Sequence, residues 1–194
     1  MRNQSLLADS EKQSEKVNAA VSIIFEIRNA ENNVDTVSEK INSNSMNDLP
    51  SVLPTNNWKR YSHLFAKDFD EDEFRMINTF YNSCVLIEDL IVKQNNFIWI
   101  ATEERSRVAQ KLLGDIHIQF QKAHHDAGND EEKKKAALDT FNNTKAGATK
   151  FYTDEQYFYT PVKTANGLKF AIDHLQKIMA TTCGSKLKKL AKIS

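Results

Sequence analysis

Proline and glycine are scarce in this chain, three and five among 194 residues, and that scarcity argues against a strand-and-turn protein. Cysteine is nearly missing. Cys84 and Cys183 are too few and too far apart for a disulfide framework or a zinc site, and they suit a reducing cytoplasm. No charge of one sign dominates either, because 26 acids balance 26 bases, so nothing global points to nucleic acid and an electrostatic partner must be sought locally. Long apolar runs are also lacking: VNAAVSIIF, residues 17–25, is interrupted by Asn18 and Ser22, whereas a spanning helix needs about 20 apolar residues. Near the start, Asp9 and Glu11 interrupt Leu6, Leu7 and Ala8 before an export signal could form.

What the chain does have is helix-forming sequence between sparse turn signals, with 40% hydrophobic residues to build a core. An all-α fold is expected: a long N-terminal helix or arm over 1–45, then a bundle of about four main helices plus short ones over 46–194. In the first helix Ala20, Ile27, Val34 and Ile41 recur every seven residues. Two outcomes stay open, since the helix can lie along its own domain or use this seam for self-association.

The segment 42–57, with Pro50 and Pro54, is a connection, and WKRYSHLFA after it has Trp58, Tyr61, Leu64 and Phe65 at helical spacing. The sharpest local signal is FDEDEF, residues 69–74. Asp70 is placed as an N-cap, Glu73 as its capping-box partner, and Phe69 with Phe74 as a hydrophobic staple. The helix that starts there is expected to run to about Lys93 and to break at Asn95 and Asn96. A further helix then covers about 97–127, with Val108, Leu112, Ile116 and Phe120 down one face and Gly128 at its end.

Asp130 is positioned to cap a surface helix beginning EEKKKAAL. FYTDEQYFYTP, residues 151–161, reads as an aromatic plug, and Thr164 to about Thr181 as a fifth helix. The closing GSKLKKLAKIS puts Leu187 and Leu190 on one side of a short helix and Lys186, Lys188, Lys189 and Lys192 around the rest. Burying two leucines is worth about 3–5 kcal/mol before entropy, more than so short a segment gains at a bilayer, so docking on the core is the expected state. The segment from Lys67 to Glu73, five acids against one lysine, is its opposite-charge counterpart, within the chain or across a dimer.

No cofactor, metal or catalytic residue emerges. Asp68, Asp70 and Asp72 resemble the start of a calcium loop, but Glu73 and Thr79 occupy the positions where its Gly and bidentate Glu belong. His117 and His124 lie two helical turns apart, about 10 Å, too far to share a metal. Trp99, Glu104, Arg105 and Arg107 form the one dense cluster that could receive a ligand or partner, with Glu103 and Arg107 spaced for an i, i+4 pair. A ligand pocket requires them to converge, and an interaction module requires them on an open face.

The stretches LPSVLPTNNWKRYSHLFAKDFDEDEFRMINTFYNS, NNFIWIATEERSRVAQ and GSKLKK resemble parts of small, uncharacterised bacterial proteins. In those proteins a membrane-anchoring segment often precedes a helical cytoplasmic part. The resemblance implies a setting in the bacterial cytoplasm or at the inner face of the membrane and names no reaction. The expectation is therefore a non-enzymatic interaction or regulatory module. Its partner would be a protein or a second copy, with weak membrane-surface contact from the basic tail and no role for nucleic acid. The alternative is a small-ligand or nucleotide-sensing domain.

Overall fold

The computed structural model describes residues 2–43, 45–153 and 162–193. Among these the protein is all-α, with six α-helices, one 3-10 turn and no strand. In chain order they are α1 (Arg2–Asn42), α2 (Asn57–Tyr61) running into the 3-10 turn Ser62–Phe65, α3 (Glu71–Asp126), α4 (Glu131–Thr153), α5 (Val162–Asp173) and α6 (Thr182–Leu190). None is long and apolar enough to cross a membrane.

The chain forms two compact units, Met1–Asn95 with Pro161–Ser194, and Asn96–Thr160. The boundary expected at residue 45 falls inside the first unit. From Ala19 onward α1 buries Ala20, Ile23, Ile24, Ile27, Val34 and Val37 in that unit's core, so α1 is a bundle member and not a free arm. Facing it, α3 contributes Ile77, Phe80, Tyr81, Cys84, Ile87 and Ile91, the three- and four-residue stripe that its sequence carries. Leu168 of α5 and Leu187 of α6 close the core.

Trp58, 3% exposed, packs with Phe65, Phe69, Phe74 and Tyr81 at centroid distances of 5.0–6.3 Å, and its Nε1 donates to Asn78 Oδ1 at 2.6 Å. Phe69 and Phe74 therefore meet on the same indole. Next to them the capping box closes in both directions: Glu73 N donates to Asp70 Oδ1 at 2.9 Å, and Asp70 N to Glu73 Oε2 at 3.0 Å. Asp68 pairs with Lys16 at 2.6 Å and Arg75 pairs with Glu71 and Asp72, so the acids of this stretch serve as a helix cap and in ion pairs.

Carboxylates on the helices hold the loops by capturing backbone donors. Glu88 Oε2 accepts from Val52 N and Leu53 N, fixing the proline-marked connection. Asn95 donates to Leu49 O at 2.9 Å and accepts from Leu49 N at 3.1 Å. This clamp corrects the break expected at Asn95 and Asn96. The low helix propensity of the two asparagines is outweighed by packing and by that pair of bonds, and α3 continues unbroken to Asp126.

A second correction concerns α5, which stops at Asp173, eight residues short of the expected end. Glu31 Oε1 accepts from Ile178 N at 2.6 Å and Met179 N at 3.0 Å, and Lys177 pairs with Asp35 at 2.7 Å. These partners on α1 draw the chain out of the helix. The loop then returns so closely that a Cβ on Gly184 would lie 2.6 Å from Ile178 O, which is why a glycine stands in the first turn of α6. The aromatic plug expected at 151–161 falls largely outside the described residues, its first three residues closing α4.

Candidate functional site

The second unit is built from the later part of α3, residues 96–126, and from α4. Gly128, at φ +52°, reverses the chain between them, a conformation that favours glycine. Asp130 then caps α4 by accepting from Lys133 N at 3.2 Å, and this bond, with the Lys133 ammonium, holds its carboxyl below the ordinary value. Lys134 does the same for Glu131 across 2.8 Å. Both pairs are solvent-exposed and contribute little stability.

Packing between the two helices is thin. Phe120 meets Phe141 at 4.8 Å between centroids, His117 approaches the Phe141 edge at 6.1 Å, and Ile116, Ala127 and Ala148 are the buried residues among those described here. The small side chains Ala136, Ala137, Thr140 and Thr144 of α4 stand across from Ile116 and Phe120 and leave a cleft of about 490 Å³. Beyond its edge, Val108 and Leu112 remain 47% and 44% exposed, and Ile118 on the adjoining face is 64% exposed. The Val108, Leu112, Ile116, Phe120 stripe of the sequence is thus present but only partly covered.

The sequence-derived candidates fall in different places. Ala20, Ile27 and Val34 lie in the chain's own core and Ile41 packs against its edge, so the self-association seam is consumed by intramolecular packing. A seven-residue recurrence specifies a buried face without saying what buries it.

Trp99 is 70% exposed, while Glu104 and Arg107 bond to each other on the surface at 2.9 Å. That contact lowers the Glu104 pKa and raises that of Arg107. Arg107 takes Glu104 as its partner in place of the expected Glu103. Arg105, half-buried, sits about 120° around the helix from Trp99, so the cluster is contiguous in sequence and divergent in space. It forms an open face and not a pocket.

In the basic tail Leu187 is fully buried and Ala191 nearly so, and Leu190 packs against the core. Lys186 Nζ reaches Glu73 Oε2 at 2.6 Å, joining α6 to the cap of α3 and raising the lysine pKa. Lys188 is half-buried, and Lys189 and Lys192 face solvent. The acidic counterpart of the tail is met within the chain.

The cleft itself escaped sequence reasoning, because alanines and threonines on α4 read as a plain surface helix. The available signal was the alignment of Ala136, Ala137, Thr140 and Thr144 on one side, too short to fill the space opposite two large apolar residues. Comparison of the chain with protein-family models, with curated proteins and with solved structures finds no match.

Proposed function

We propose that this protein is a non-enzymatic helical interaction module whose binding face is the α3–α4 hairpin. One observation carries the reading: the hairpin leaves Val108, Leu112, Ile118 and Leu138 exposed and buries little between its two helices. Two helices meet along a single seam, and the apolar surface left over is covered in stable architectures by a further layer. A protein surface supplies that layer. The open placement of Trp99, Glu104 and Arg107 supports the same reading, since their charges engage each other and do not line a recess. The resemblance to helical bacterial proteins suggests a cytoplasmic setting or the inner membrane face, where exposed Lys189 and Lys192 would add a weak attraction for anionic headgroups.

The test is affinity capture with the full chain as bait, comparing wild type with the double variant Val108→Glu, Leu112→Glu by quantitative mass spectrometry. The proposal predicts that specific proteins, a tagged second copy of the chain included, are retained by wild type and lost from the variant while its circular dichroism stays helical. Identical retention by both baits contradicts it.

A further inference from the structure

We infer that the open face of the hairpin is covered by the same face of a second copy of this chain, the two hairpins lying antiparallel across a two-fold axis beside Ile118. The inference rests on the hairpin being the interaction face and names what covers it. The order of charges along α3 carries it. Lys111, Asp115, Lys122 and Asp126 lie within about 60° of one another around the helix, and all four are exposed. None takes part in an ion pair among the described residues. In both four-residue spacings lysine precedes aspartate, the less favourable order within one helix.

Across an antiparallel two-fold axis the same order becomes complementary. An axis passing between positions 118 and 119 sets Lys111 opposite Asp126 of the partner subunit and Asp115 opposite Lys122 of the partner subunit, because both pairs share that midpoint. Symmetry doubles the two contacts to four. A parallel, in-register pairing would instead set each charge against its own copy, so the sequence selects the antiparallel arrangement.

Shape follows the same register. Exposed Ile118 lies at the axis, where it packs on its own copy. The helical stretch from 108 to 126 spans about 28 Å, and a hairpin is about 20 Å wide, giving about 1,100 Å² of buried surface over both copies. That clears the roughly 1,000 Å² a specific interface needs.

Sedimentation equilibrium on the full chain tests the pairing. Wild type is expected at twice the 22.2 kDa chain mass. Lys111→Glu, which makes two of the four contacts repulsive, should weaken the dimer by about tenfold or more, and Lys111→Glu with Asp126→Lys should restore it. Ile118→Cys should oxidise to a covalent dimer, since Cys84 and Cys183 are buried. A wild-type mass of 22.2 kDa at the highest soluble concentration overturns the inference, as does a charge swap that fails to restore the dimer. If such a monomer still retains a host protein through Val108 and Leu112, the second copy is excluded and the interaction face stands. If the capture is also unaffected by those substitutions, both fall.

Discussion

The hydroxyl of Tyr81 donates to the carboxylate of Glu26 at 2.7 Å, inside the core of the first unit. Thr55 Oγ1 donates to the same carboxylate at 2.6 Å and Asn57 N at 2.8 Å, so one acid on α1 ties together α3, the connection and the start of α2. Tyr81→Phe removes one of these bonds and is expected to cost about 1.5–3 kcal/mol. Glu26→Ala strands several donors at once and should cost more, about 3 kcal/mol or above. Urea unfolding of both variants checks the order; a milder Glu26→Ala contradicts the network.

Burial pushes the Cys84 thiol up to about 12, with Glu31 and Glu26 adding to it, and raises the Tyr81 hydroxyl well above its ordinary range, again by burial first and Glu26 second. Both groups lose their protons more readily in the unfolded chain. Their contribution to stability is therefore complete below pH 9 and declines as the pH rises toward 12, by up to about 1.4 kcal/mol per pH unit for each group. Cys84→Ala should make the fall between pH 9 and pH 10 shallower, because the ordinary tyrosine value is 10.0. Melting temperatures across this window decide it, and coincident curves contradict it.

The capping box predicts that Asp70→Ala costs about 1 kcal/mol, since Glu73 N loses its acceptor. Glu73→Ala should cost more, because it also releases Lys186 and therefore α6. Calcium should leave the melting temperature of both wild type and Asp70→Ala unchanged. A calcium-dependent rise of several degrees that disappears with Asp70→Ala would restore the metal-loop reading.

At the end of α6, Leu187→Asp places a carboxylate in a fully buried position and should unfold the docked helix, visible as a lower melting temperature. Lys192 adopts φ +56°, with Ile193 N donating to Lys188 O beyond it. Glycine suits that cap better, so Lys192→Gly should stabilise by about 0.5–1 kcal/mol. A loss of stability in Lys192→Gly would mean that its side chain contributes through a contact on the core.

Local signals in this sequence are read correctly where they are self-contained. The cap at Asp70, the reversal at Gly128 and the docking of Leu187 each depend on neighbours within a few residues, or on one apolar face. Long-range partners are less legible. Asn95 looks like a helix break until Leu49, 46 positions away, is found bonded to it. Glu31 shortens α5 from 147 positions away. The Ala20, Ile27, Val34 seam and the Trp99 to Arg107 cluster show two limits of sequence reading alone: periodicity does not name the surface that covers it, and adjacency in sequence turns residues about 100° apart on a helix.

Hydrogen–deuterium exchange of the full chain, dilute and concentrated, tests the central claim most directly. The account predicts added protection on concentration in residues 108–126 of α3 and 133–148 of α4, with α1 from Ala20 to Ile41 unchanged because its apolar face is already satisfied. Protection gained along α1, with the hairpin unaltered, would contradict it.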